Sequence, residues 1–247
     1  MGNGAERMNI ALETRGLTKH FGKRKVVDNI TLSVEAGEVF GFLGANGAGK
    51  TTTIKMILGL LSPDAGEIFI NGIDVRRNFE EAMTHIGGIV ENPDMYGYLS
   101  GLANLQLFAR VRGVDDAAVQ ETIRRVGMEN RIKEKFKRYS LGMKQRLGLA
   151  QAIMHNPRVL ILDEPTNGLD PAGIKELRDT LKHLAHEEGV AVLVSSHMLS
   201  EMQLMCDRVG IIANGKMLET IALTADNAAN LESMFLELTA KEGGQIA

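Results

Sequence analysis

Gly44-Ala45-Asn46-Gly47-Ala48-Gly49-Lys50-Thr51 is the stretch on which the fold turns. It satisfies the pattern G-x-x-x-x-G-K-[S/T] in full, and the residues on either side supply the context that the pattern needs. Before it, Val39-Phe40-Gly41-Phe42-Leu43 is an apolar run that reads as a buried parallel strand. After it, Thr52 to Leu61 reads as an apolar helix. The glycines let backbone N–H groups close around phosphate oxygens, and the helix N-terminus adds the positive end of its dipole. The candidate phosphate contacts are therefore Asn46, Gly47, Ala48, Gly49, Lys50, Thr51 and Thr52. Lys50 is expected to reach the outer phosphates of a nucleotide, and the Thr51 hydroxyl to ligate Mg2+.

Working outward, the matching metal chemistry comes more than a hundred residues later. Val159-Leu160-Ile161-Leu162-Asp163-Glu164 is an apolar strand that ends in two carboxylates. Such a strand buries, and its end emerges at the carboxyl edge of the sheet, where open α/β sheets bind ligands. Asp163 is a candidate Mg2+ ligand, and Glu164 is then free to orient or deprotonate an attacking water. Asp170-Pro171 follows as a helix cap and first helical residue, with Ile174, Leu177, Leu181 and Leu184 on the apolar face and Gly189 at the end. Val190 to Val194 is the next strand.

The remainder divides by pattern. Ile10–Arg15, Val26–Val34 and Glu67–Ile70 are short alternating segments of an antiparallel region, and Asn71-Gly72 and Asn214-Gly215 are hairpin turns. Residues 93–152 are rich in helical spacing, as in Leu102, Leu105, Ala109 and in Val119, Ile123, Val126, and read as a helical insert. Leu231, Met234, Phe235 and Leu238 share a helical face near the end. The expected architecture is α/β: a core of mostly parallel sheet at 10–92 and 153–220 with an N-terminal antiparallel β subdomain, a helical insert at 93–152, and a helical tail at 221–247, all in a single domain 1–247.

Bulk properties set the class. The 247 residues are 44% hydrophobic and 24% charged, as in a globular protein. A net charge of −3 lacks the basic surplus of most nucleic-acid binders. Cys206 is alone, so no disulfide forms within the chain, and its apolar helical setting reads as core. No apolar run approaches the ~18–20 residues of a membrane helix. His183 and His186 stand at i, i+3 without a third ligand and read as a solvated face.

Taken together, these stretches resemble the ATP-binding-cassette (ABC) family. The cradle is similar to its Walker A motif and Val159–Glu164 to its Walker B. Tyr139-Ser140-Leu141-Gly142-Met143-Lys144-Gln145-Arg146 stands where the family has its L-S-G-G-Q signature, with Leu141 in place of the first glycine and Met143 in place of the glutamine. Thr166-Asn167-Gly168-Leu169-Asp170 resembles the D-loop, and Ser195-Ser196-His197 the switch motif. The resemblance implies ATP as substrate and Mg2+ as cofactor. Phe21 would stack on adenine, with Val26 in the nucleotide-binding set. Ser140 and Gly142 would donate to a γ-phosphate held by a second subunit, with Asp170 also in the shared site, and His197 would contact the γ-phosphate and the water. It further implies a homodimer working on a separate integral membrane permease, on the cytoplasmic face of the membrane, with no nucleic acid as partner.

One position departs from the family. A glutamine usually opens the loop into the helical insert, and the matching residue here is Glu91. A carboxylate there resembles exporters of the bacitracin-resistance and lantibiotic self-protection group. It implies a Mg2+-proximal coupling residue and export of an antimicrobial peptide or other drug. The competing readings are a soluble ABC-type ATPase acting on nucleic acid or ribosomes, an importer cassette, and a small-molecule kinase with the same cradle.

Overall fold

The computed structural model describes residues 9–91, 93–224, 227 and 230–241. Strands β1 (Ile10–Phe21) and β2 (Arg24–Glu35) form a long antiparallel hairpin that turns tightly through Gly22 and Lys23. Gly22 takes the positive φ of 60° that this two-residue turn demands. The hairpin runs well beyond the two short segments legible in the sequence, because several register shifts let it continue past Gly16 and Asn29.

Strand β3 (Val39–Leu43) is buried at all five positions and feeds helix α1 (Lys50–Ile57). The apolar sequence continues to Leu61, but the helix stops at Ile57. Gly59 adopts φ 70°, and the N–H groups of Leu60 and Leu61 both donate back to the Lys55 carbonyl, at 2.8 and 3.1 Å. This closes the C-terminus by the left-handed glycine device and leaves Leu60 in solvent. Strands β4 (Ala65–Ile70) and β5 (Ile73–Asp74) meet at Asn71-Gly72, where both residues have positive φ as the turn requires. These strands complete a four-stranded antiparallel sheet in the order β2-β1-β4-β5.

After helix α2 (Phe79–Thr84) comes strand β6 (Ile86–Ile89). Helices α3 (Gly101–Arg112) and α4 (Asp116–Arg125), a 3-10 turn at Phe136–Arg138 and helix α5 (Leu141–Ile153) follow. Strand β7 (Val159–Asp163), helix α6 (Pro171–His186), strand β8 (Ala191–Ser196), helix α7 (Leu199–Met205), strands β9 (Arg208–Ala213) and β10 (Lys216–Ala222), and helix α8 (Leu231–Lys241) complete the described chain. The second sheet runs β10-β9-β3-β8-β7-β6 and is parallel apart from β10, which returns through Asn214-Gly215 against β9.

This sheet separates two apolar cores. Val39, Leu43, Leu160, Leu162, Val192 and Val194 face the helical side, while Phe40, Phe42, Val159, Ile161, Ala191 and Leu193 face α1 and the antiparallel sheet. The alternation is the period-2 pattern of a strand buried on both faces. Each such Val, Leu, Ile or Phe side chain contributes roughly 1.5–3 kcal/mol by leaving water. Cys206 lies in the first core with its thiol on Met202, and burial pushes its pKa up, so it is a neutral core residue.

Strand β6 has no counterpart in the sequence pattern, and its glycines explain why. A Cβ on Gly87 would lie 2.0 Å from the Ala152 carbonyl oxygen, so the residue is glycine because α5 packs directly on the strand backbone. The same two glycines remove the β-branched residues by which a strand is usually recognised.

Candidate functional site

The cradle joins the carboxyl end of β3 to α1. Gly49 is the helix N-cap at φ 111°, and Gly47 has φ 78°. Close packing dictates two of the glycines. A Cβ on Gly49 would come within 2.8 Å of the Val26 carbonyl, and one on Gly44 within 2.5 Å of the Ile212 carbonyl. Gly47 meets nothing within 4 Å, so only its backbone conformation requires glycine, and it lines open space. A loop packed tightly behind and open in front, with a helix N-terminus at its end, fits a phosphate chain. Val26 therefore borders the cradle from behind through its backbone. Asn46 is exposed at the rim, Thr51 and Thr52 are half-buried in the first turn of α1, and the buried Ala48 carbonyl receives the Gly215 N–H at 2.9 Å.

Three side chains converge beside the cradle. The Lys50 ammonium donates to the Gly44 carbonyl at 2.7 Å and stands 3.2 Å from Glu164 Oε1. The other carboxylate oxygen of Glu164 lies 2.9 Å from His197 Nδ1. Lys50 is almost fully buried, whereas the Glu164 side chain is 16% exposed and that of His197 40%. The cluster therefore opens to solvent from the histidine side. Glu164 sits at φ 50°, a left-handed conformation that costs a non-glycine residue on the order of 1 kcal/mol. It is held there by its N–H, which Ser195 receives on both its hydroxyl at 2.9 Å and its carbonyl at 3.2 Å. The buried Ser195 hydroxyl in turn donates to Asp163 Oδ1 at 2.6 Å.

Ser140, Gly142 and Asp170 form a second group. Ser140 caps α5 by accepting the Met143 N–H at 3.3 Å, and Asp170 caps α6 by accepting the Gly173 N–H at 2.9 Å. Leu141 packs on Gly168, and Leu169 lies 3.8 Å from where a Gly142 Cβ would be. Gly142 and Leu169, with Arg125, Arg146, Leu149 and Glu176, line a groove of about 290 Å³. Ion pairs Arg146–Glu176 and Arg125–Glu188 cross between α4–α5 and α6 with its following turn. Neither the Ser140 nor the Asp170 side chain bonds to Lys50, Glu164 or His197 among the described residues.

Phe21 ends β1 at the hairpin tip, with its ring half-exposed and the Lys19 ammonium 6.0 Å from its centroid. Asp64 fixes that tip by accepting from Lys19 Nζ at 2.8 Å and from the His20 N–H at 2.6 Å. Those two bonds hold the Asp64 carboxyl down at about 2. Glu91 also has positive φ, at 62°, and pairs with Lys55 of α1 at 3.1 Å, one helical turn beyond Thr51. No group of three or more His, Cys, Asp or Glu side chains with metal-binding geometry occurs among the described residues. His183 and His186 instead face Glu188 and Asp207. Lys55 escaped sequence reading, because its pairing with Glu91 has no sequence signature. Ser195 is legible in the sequence only as part of the switch motif, and its hydroxyl contacts to Asp163 and the Glu164 N–H are not.

The ABC transporter domain family matches residues 27–167. Among curated proteins, the Bacillus subtilis (strain 168) ABC transporter ATP-binding protein YhcH is 50% identical over 94% of this chain and 76% of its own length. The bacitracin transport ATP-binding protein BcrA of Bacillus licheniformis is 47% identical over 87% of this chain and 70% of its own. Among solved structures, an ATP-binding subunit of an ABC transporter superposes with a TM-score of 0.82 at 30% identity, covering 93% of this chain and 99% of that one.

Proposed function

Because this chain belongs to the ABC transporter family and is an ATP-binding, ATP-hydrolysing cassette, we propose that Lys50, Glu164 and His197 form its hydrolytic centre and that it powers a separate membrane permease. The observation that carries the assignment is the convergence of Lys50 and His197 on the Glu164 carboxylate beside the cradle. ATP lies with its phosphates on Asn46–Thr52 and its adenine against Phe21 and Val26. Lys50 leaves Glu164 for the β- and γ-phosphate oxygens. Glu164 and His197 orient a water for in-line attack on the γ-phosphorus. The bond from that phosphorus to the bridging oxygen breaks as the water's proton passes to the carboxylate, and ADP and phosphate are the products. Preorganised charges that act in a site closed to bulk water are the main source of acceleration.

The donor set Thr51 and Asp163 suits a hard divalent ion such as Mg2+, which when bound offsets charge developing on the phosphoryl oxygens. Glu91 is the further candidate oxygen ligand, and that role requires its release from Lys55. Ser140, Gly142 and Asp170 complete the site of a second copy in a head-to-tail homodimer. The working division is a core of 10–92 and 153–220, a helical insert 93–152 carrying Ser140 and Gly142, and a tail 221–247.

Among the described residues no helix is long and apolar enough to cross a membrane. In this reading the transport path is supplied by a partner permease that holds the cassette on the cytoplasmic face. The similarity to a bacitracin transport protein and the carboxylate at Glu91 favour export of an antimicrobial peptide or other drug. The test is Glu164→Gln. Hydrolysis is expected to fall on the order of a hundredfold or more, as for loss of a general base, while ATP binding persists and an ATP-bound dimer accumulates in size-exclusion chromatography. Hydrolysis at the unaltered rate removes Glu164 from the mechanism.

A further inference from the structure

The two carboxylates at the end of β7 do different work in the reading above, yet one hydroxyl touches the supports of both. Ser195 Oγ is fully buried at the end of β8. It donates its only hydrogen to Asp163 Oδ1 at 2.6 Å, a length typical of a charge-assisted bond to an ionised acceptor. Its lone pair receives the Glu164 N–H at 2.9 Å. The first bond stops rotation of the Asp163 carboxylate about its terminal torsion. The second pins the backbone at the residue whose φ of 50° turns the chain sharply out of β7. Strand register reinforces the arrangement, because Asp163 lies directly beside Ser195 in the parallel β7–β8 pair.

We propose that Ser195 is a positioning residue that sets the metal-binding carboxylate and the water-orienting carboxylate relative to each other. This inference rests on the roles given above to Asp163 and Glu164. A hydroxyl satisfies the geometry because it donates and accepts at a single atom. Alanine does neither, and valine would leave the buried Asp163 Oδ1 without this donor, at the cost of an unmet buried acceptor. The ladder bond from the Glu164 N–H to the Ser195 carbonyl survives any of these changes, so the strand pairing itself does not depend on the hydroxyl.

The experiment compares wild type, Ser195→Ala, Ser195→Thr and Glu164→Gln in the full chain. Steady-state ATPase is measured across a Mg2+ titration, and binding of a fluorescent ATP analogue is measured in EDTA. For Ser195→Ala, kcat is expected to fall about 10- to 100-fold, in the range typical of a lost positioning contact. The half-saturating Mg2+ concentration is expected to rise at least about fivefold, while metal-free ATP binding stays within about twofold. Ser195→Thr, which keeps the hydroxyl, is expected to restore most of the kcat and the original Mg2+ dependence. A Ser195→Ala enzyme with unchanged Mg2+ dependence overturns the proposal, as does an equal defect in Ser195→Thr, or a matching loss of metal-free binding that marks general damage. If Ser195→Ala does not fold, Ser195→Cys takes its place, with the same outcomes deciding. A fully active Glu164→Gln defeats the underlying assignment instead, whereas an inactive Glu164→Gln beside a normal Ser195→Ala defeats only this inference.

Discussion

Gly87→Ala is a one-carbon change with a large expected effect. The added Cβ would stand 2.0 Å from the Ala152 carbonyl oxygen and 2.9 Å from its carbonyl carbon. An ordinary carbon–oxygen contact needs more than 3 Å, so α5 and β6 must separate by roughly 1 Å. The obstacle is helix backbone, which cannot swing aside as a side-chain tip can. The cost therefore belongs at the upper end of the overpacking range, about 3 kcal/mol, a large share of the ~5–15 kcal/mol that holds a domain together. For a chain of this size that corresponds to a fall in Tm of about 6–12 °C. Gly88→Ala is the internal control, because its Cβ meets chiefly the flexible Leu58 side chain at 2.8 Å and is expected to cost about 1 kcal/mol. Function responds as well. The 13-residue helix α5 spans about 20 Å from the clash near its C-terminus to the Ser140 cap, and a tilted helix displaces that cap. ATP binding at the cradle is expected to persist while hydrolysis falls. Thermal melts followed by circular dichroism, with ATPase assays on the same preparations, read both effects. A Gly87→Ala chain melting within about 2 °C of wild type would refute the claim that direct backbone packing dictates this glycine.

Two further substitutions test other links. Asp64→Ala releases Lys19 and the His20 N–H and so loosens the tip carrying Phe21. The KM for ATP is expected to rise about 3- to 10-fold at little cost in kcat, as for lost ground-state binding. Since Asp64 titrates at about 2, the wild-type tether and hence the ratio of the two KM values should hold from pH 8 down to pH 5, and a ratio collapsing within that range contradicts it. His155 has its pKa lowered by burial and by the neighbouring Arg112 guanidinium, while its bond to the Ile86 carbonyl opposes that shift. Below the ordinary value of 6.5 the unfolded chain binds a proton that the folded one resists, so stability falls as pH drops through that range. His155→Gln removes this linkage, and its melting temperature is expected to lose less between pH 7.5 and pH 5 than that of wild type. Parallel curves for the two proteins would show that His155 is not the responsible group.

The legible parts of this fold are those where one local rule suffices. The glycine cradle behind an apolar strand, Asp170-Pro171 opening α6, and the two Asn-Gly turns each carry their cause in a few adjacent residues. Strand β6 was illegible because the constraint on Gly87 comes from Ala152, 65 positions away, and is expressed as missing side chains. The end of α1 misled in the opposite direction, since apolar sequence ran on to Leu61 while Gly59 had already closed the helix. In the site, Lys50, Asp163, Glu164 and His197 were nameable from motif and order. The strained turn at Glu164 and the hydroxyl that supports it depend on β7 and β8 lying side by side in a fixed register, which no local pattern encodes.

The position of β3 in its sheet has a consequence for how the protein is made. Among the described residues its sheet neighbours are β8 and β9, which lie about 150 and 170 residues further along the chain. The β1–β2 hairpin can close as soon as it leaves the ribosome, but Val39–Leu43, apolar on both faces, must wait for partners synthesised about 150 or more residues later. At about 5–20 residues per second that wait is roughly 10–30 s, with an aggregation-prone strand and an unformed cradle in the nascent chain. The loop that follows β3 therefore cannot settle on a completed sheet until β8 and β9 have both emerged.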